Sequence, residues 1–216
     1  MGHELRSPAG VLVGYLRMLQ EGRVTSEADR LRTYDKMRAA LSRIAGLGDA
    51  VSQLTSWIEP RQRVAVLMDA RELIDRSVSA ARTALDRTID AQVTVAPGEA
   101  GIRVLDSRAL EAAVTAVIHG TAREAGDDSP VGLRAWIGRD RDRTVELIVG
   151  PRVEAEEFSL SNQVPGPFSV ARGGMGLSLV LAIAVLEAHA AQVWCIGGAQ
   201  SVAAMRLPVA VEEQQP

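Results

Sequence analysis

Apolar residues recur along the first twenty-one positions at the three-four spacing of a helix. Leu5, Leu12 and Leu19 stand seven apart, with Ala9 and Leu16 at the intermediate positions of a packing seam. The pattern predicts a helix from the first residue to about Glu21, punctuated by Gly22. A second helix is predicted from Ser26, a capping residue, to Ile58. Leu31, Tyr34, Arg38, Leu41, Ile44, Gly48, Val51, Thr55 and Ile58 keep the same spacing, Leu47 and Leu54 widen the stripe, and Glu59-Pro60 ends it. Two such helices joined by a short turn form a hairpin that covers only one side of each stripe. Pairing with a second copy in a four-helix bundle buries the remainder, so a homodimer is expected.

After Pro60 short strand-like runs alternate with helical ones. Val64 to Met68 reads as a strand or extended connection, Ala70 to about Ile89 as a helix, and Gln92 to Ala96 as a strand before Pro97-Gly98. Arg103 to Leu105 leads through Asp106 into a helix from about Arg108 to Glu124, with Ser107 as a cap. Val131 to Ile137 and Thr144 to Val149 make a strand pair around the charged turn RDRD. Residues 150 to 173 lack periodicity and read as a loop or lid. A helix from about Met175 to His189 and strands at Gln192 to Ile196 and Val202 to Leu207 close the pattern. The expected class is α+β: a helical hairpin over residues 1–60, an α/β sandwich with helices on one face of a mixed sheet over 61–210, and a frayed acidic tail over 211–216.

Composition supports a folded chain, with 47% apolar and 24% charged residues in 216. A net charge of −3 gives no electrostatic reason to expect nucleic acid. The lone Cys195 excludes an intramolecular disulfide and a thiolate cluster. The apolar run Leu177 to Val185 is too short to span a bilayer, and no signal peptide precedes His3, so a cytoplasmic protein with no membrane segment is expected.

The chemistry-bearing stretch is HELRSP at residues 3–8. At about 100° per residue His3 lies about 160° from Leu5, on the side of the helix away from the seam. Ser7 is one turn further along nearly the same face, and Arg6 lies about 60° to the side, where it can present a cation to phosphate oxygens on the imidazole. Glu4 can accept a proton from one ring nitrogen and leave the other to attack a phosphoryl group. Pro8 lacks the amide that would bond the Glu4 carbonyl, which predicts a kink; alternatively it lies in the first turn of a shorter helix capped by Ser7.

HELRSP resembles the phosphoacceptor box of bacterial two-component sensor histidine kinases. In that family a dimerisation and phosphotransfer hairpin precedes an ATP-binding domain of the gyrase, Hsp90, kinase and MutL type. The order here is similar, with the hairpin, VLDSRALEAAV, then RGGMGLSLVLAIAVLEAHAAQVW and the terminal VAAMRLP. The resemblance implies that His3 is phosphorylated, that Glu4 is its acid/base partner, and that Arg6, Ser7 and Pro8 shape the box. It also implies a longer stretch of helix ahead of the histidine than Met1-Gly2. Gly174, Gly176, Leu177 and Leu179 match the glycine-rich nucleotide box, although Ser178 replaces its next glycine. His189 resembles the histidine near the end of the following helix, with Ala190 and Ala191 where glycines are usual.

Two departures bear on function. The family's metal-holding asparagines fall at Ala116 and Gly120 in LEAAVTAVIHGTAREA, and neither offers a side-chain ligand; the adjacent His119 is a poor partner for hard magnesium. The adenine-reading aspartate falls at Ile148 or Val149 in ELIVGPRVEAEE, with Gly150-Pro151 keeping a turn. The leading expectation is therefore a dimeric histidine phosphotransferase that moves a phosphoryl group between His3 and receiver-domain aspartates. It needs no intrinsic cofactor or metal of its own, because the partner receiver supplies magnesium. The alternatives are a diverged ATP-dependent histidine kinase, in which Gly174-Met175-Gly176 cradles phosphate, and a noncatalytic regulator that docks through the bundle. Trp57, Trp136 and Trp194 are expected to anchor packing rather than stack on a ligand.

Overall fold

The structure is a computed structural model that describes residues 2–58, 64–125, 130–138, 143–151, 165–166, 168–169, 176–196 and 202–210. The predicted tail and most of the 150–173 segment lie outside these residues, as do the side chains of positions 2–5. The chain divides into two compact units, residues 1–56 and 57–216.

The first unit holds α1 (Gly2–Gln20) and α2 (Glu27–Ile58), whose last two residues count with the second unit. Helix α1 starts well before Pro8, so Pro8 sits inside it and Ser7 is not its cap. Gly22 takes φ +67°, a left-handed conformation that stops α1, and the Ser26 hydroxyl accepts the Asp29 amide at 3.0 Å to start α2. The seam differs from the predicted one. Pro8 is buried and Leu12, Tyr15 and Leu19 are half-buried on α1, while Thr33 and Ala40 are buried and Met37 and Ile44 half-buried on α2. Both rows run at four-three-four spacing, and small Thr33 and Ala40 let the helices approach closely. The Thr33 hydroxyl is satisfied by the Asp29 carbonyl at 2.7 Å. Ala9 and Leu16, expected in the seam, are exposed, as are Leu31, Tyr34 and Leu41 of the predicted α2 stripe.

In the second unit β1 (Val66–Asp69) pairs antiparallel with β3 (Gly101–Val104). A six-stranded mixed sheet runs in the order β2-β4-β5-β8-β7-β6. Its strands are β2 (Ile89–Val93), β4 (Val131–Ile137), β5 (Thr144–Pro151), β6 (Pro165–Gly166), β7 (Gln192–Ile196) and β8 (Ala203–Pro208), and only the β2–β4 pair is parallel. The helices are α3 (Ala70–Leu85), α4 (Ser107–Glu124) and α5 (Leu177–Ala188).

Three boundaries move from their predicted places, each for a local reason. Helix α3 stops at Leu85 because Asp86 turns left-handed at φ 51°, which frees Ile89 to begin β2. Asp106, not Ser107, caps α4, its carboxylate accepting the Ala109 amide at 2.9 Å. Gly150 and Pro151 do not turn; they extend β5 opposite Gly132 and Val131.

Strand alternation sorts the sheet into two faces. Val145, Leu147 and Val149 of β5 join Leu133 of β4 and Met205 of β8 in the core shared with α3, α4 and α5, as expected for helices on one face. Ile148, Ile196, Val202 and Ala204 form a second apolar cluster on the other face, with Trp136 and Trp194 packed against it. Arg206 on that face donates to the buried Glu146 at 2.7 Å and lies 5.5 Å from the Trp194 ring centre. Trp57 packs on the main core and meets the His189 ring at 5.6 Å, so the three tryptophans anchor packing.

Ala190 takes φ 55° just after α5, a left-handed conformation that strains a side chain bearing Cβ. Replacement of Ala190 by Gly should therefore stabilise the chain by about 1 kcal/mol, read as a raised urea midpoint at unchanged slope. An unchanged or lowered midpoint would show that the turn is unstrained.

Candidate functional site

The two sequence features converge on two separate places, one in each unit. In the first, α1 carries the HELRSP box in its opening turns. His3 and Glu4 belong to the helical backbone, while their side chains lie outside the described residues. Arg6 and Ser7 are exposed and Pro8 is buried. Helical geometry places position 3 about 140° from Pro8 and about 180° from Leu12, on the side of α1 opposite the seam. Position 3 is thus carried on the open side of the hairpin, while Pro8 of the same box enters the seam.

In the second unit the nucleotide-type positions lie on α4, β5 and the start of α5. Ala116 is half-buried and packs against the core, and Gly120 is buried. Val149 and Ile148 are both fully buried but on opposite faces of β5. Only Val149 turns toward α4, which makes it, of the two, the position to compare with the aspartate that the resemblance implies. Gly176 starts α5 at φ 54°, ψ −128°, accessible only to glycine, and its carbonyl accepts from Leu179 at 3.1 Å. Leu177, expected at a nucleotide, is buried at 6% exposure. Gly174 lies outside the described residues. The donor set Ala116, Gly120 and Val149 does not fit a magnesium–nucleotide group, because none of these side chains carries a polar atom.

Solved structures share this overall fold. The histidine kinase AdeS of Acinetobacter baumannii superposes at a TM-score of 0.62 with 16% identity, over 97% of this chain and 98% of that one. The chain has the fold of a histidine-kinase core. Histidine kinase ThkA, solved in complex with response regulator protein TrrA, matches at 0.63 and 14% identity over 99% of this chain and 61% of its own. Full-length ShkA in complex with AMPPNP matches at 0.58 and 17% identity over 97% and 44%. No family model matches the chain, and comparison with curated protein sequences gives no match.

Within this fold His189 is a structural tie, a role its place in the sequence did not reveal. Its Nε2 accepts the Leu105 amide at 3.0 Å and its Nδ1 lies 2.6 Å from the Val185 carbonyl. That pairing sets the Nδ1–H tautomer and joins the end of α5 to the residue just before the α4 cap. No described helix is long and apolar enough to cross a membrane.

His119, one residue before Gly120 on α4, is half-buried. Burial, and then the nearby Arg123 guanidinium, hold its pKa below the ordinary 6.5. Well above pH 6.5 the ring is neutral folded and unfolded, so it adds no pH dependence there. As pH falls below 6.5 the unfolded chain takes a proton that folded His119 resists, and stability drops until the folded value is passed. Urea midpoints of wild type should therefore fall from pH 7 toward pH 5 more steeply than those of His119→Gln. Parallel curves would contradict the assignment.

Proposed function

We propose that the chain is a dimeric phosphotransfer module of two-component signalling, moving phosphoryl groups between His3 and receiver-domain aspartates. The observation that carries this reading is the set of half-buried Ala116 and buried Gly120 and Val149 in one unit, together with an uninterrupted HELRSP box in the sequence of the other. In the first step a ring nitrogen of His3 attacks the phosphorus of a receiver's aspartyl phosphate. The P–O bond breaks, the aspartate leaves as a carboxylate, and the ring proton passes to Glu4. Arg6 balances charge on the phosphoryl oxygens, and Ser7 offers them a hydroxyl. A second receiver's aspartate then attacks phosphorus, the P–N bond breaks, and the imidazole recovers its proton. The magnesium that accompanies both steps belongs to the receiver.

Exposed Leu16, Leu31, Tyr34 and Leu41 support the second copy, since a four-helix bundle would cover them. ThkA, a kinase of the same fold, is solved with a response regulator, which supports a receiver as the partner.

A second reading, an ATP-dependent histidine kinase with a diverged nucleotide site, draws on a different observation. The likeness spans nearly all of this chain and of AdeS, which is named a histidine kinase, and ShkA is solved with AMPPNP. The comparisons lean toward this reading; the side chains at the nucleotide-type positions lean toward the first.

Two measurements test the proposal. Incubation with a phosphorylated receiver should label wild type and leave His3→Gln unlabelled, whereas no label on wild type, under conditions where a known relay works, would overturn it. Leu16→Glu with Leu41→Glu should convert the dimer to a folded monomer in light scattering; a monomeric wild type would remove the bundle from the account.

A further inference from the structure

A cleft of about 710 Å³ lies in the second unit, apart from the nucleotide-type positions. It is lined by β1, β3, the 98–101 segment, Arg143 before β5 and the residues after β8. That volume is within the range of small-molecule sites.

Its construction follows from the two-stranded sheet. Leu67 stands opposite Arg103 in the β1–β3 register, and Asp69 opposite Gly101, so these four share one face. The missing side chain of Gly101 makes room for Leu67, because a Cβ there would come within 3.0 Å of a Leu67 methyl. Leu67 forms an apolar floor and remains 67% exposed. Backbone bonds fix the walls: the Ala210 amide donates to the Gly101 carbonyl at 2.7 Å, and the Val209 amide to the Arg143 carbonyl at 3.0 Å.

The charges in the cleft are not equivalent. The Asp69 carboxylate accepts the Arg71 amide at 2.8 Å and the Gly98 amide at 2.6 Å, one on each oxygen. Glu99 accepts the Ala96 amide at 2.7 Å. Both acids are thus occupied in holding the rim. Arg103 and Arg143 are exposed, and among the described residues neither guanidinium has a hydrogen bond or an ion pair. Two planar cations beside an exposed leucine match an anionic head on an apolar body.

We propose that this cleft binds a small organic anion, a carboxylate or a phosphate monoester, with its charged group between Arg103 and Arg143 and its carbon chain on Leu67. Arg103 sits on β3, three residues before the Asp106 cap of α4, and Arg143 leads into β5. The bound anion joins these two approaches to the nucleotide-type positions.

The test uses the full chain and three probes of equal chain length: hexanoate, hexyl phosphate and the neutral hexan-1-ol. A ligand that binds only the folded state raises the melting temperature in a saturable way. The expected result is a saturable rise with at least one anion and none with the alcohol; the tighter of the two anions identifies whether the natural head group is carboxylate or phosphate. Arg103→Gln combined with Arg143→Gln should weaken the response about tenfold or more, the loss expected when charge-assisted hydrogen bonds are removed. Leu67→Asp, at an exposed position, should abolish it while leaving the ligand-free melt intact. No saturable rise with either anion, an equal rise with the alcohol, or an undiminished response in the double variant would overturn the proposal.

Discussion

Leu110, Ala113, Val114, Val117 and Ile118 turn one face of α4 into the core, and none is more than 2% exposed. The helix packs between α3 and α5 above β5. Burial of a Val, Leu or Ile side chain contributes about 1.5–3 kcal/mol, so rotating α4 to present another face would forfeit most of the core. The Asp106 cap fixes where the helix begins, and the His189 tie to Leu105 fixes the residue before it. Position and rotation of α4 are therefore determined together. The consequence is that Ala116 and Gly120, one turn apart, are held in fixed places, the first half-buried against the core and the second buried.

The same packing accounts for Val149. Strand β5 is central in the sheet, with β4 on one side and β8 on the other, and its alternate residues face opposite apolar clusters. A carboxylate at 149 would enter the α4 side, and valine there continues the core instead. Ala116 and Val149 thus add apolar groups to the core on the α4 side of β5.

Much of this was legible from residue periodicity. Three-four spacing located the first two helices, and apolar runs between turn residues located the later helices and the β4–β5 pair, although β5 is buried on both faces. Features that depend on a single backbone angle or a distant partner were not legible. Asp86 reads as an ordinary helical residue until its left-handed turn is seen, and Asp106 and Ser107 are equally good caps on paper. The hairpin seam shifted because periodicity finds an apolar stripe but does not say which part meets the neighbouring helix and which part awaits another surface. His189 could be matched by position, yet its bond to Leu105 spans eighty-four residues and leaves no local signature. The paired arginines of the cleft carry no motif at all.

The two units then suggest a division of labour. On the proposed reading phosphotransfer depends on the hairpin and the residues beside His3, while the sandwich has the fold of a histidine-kinase core with apolar side chains at Ala116 and Val149. Calorimetric titration of the chain with ATP and magnesium tests this most directly. The account predicts no saturable heat, together with labelling of His3 from a phosphorylated receiver. Saturable ATP binding followed by transfer of its terminal phosphate to His3 would contradict it and identify the chain as a working kinase.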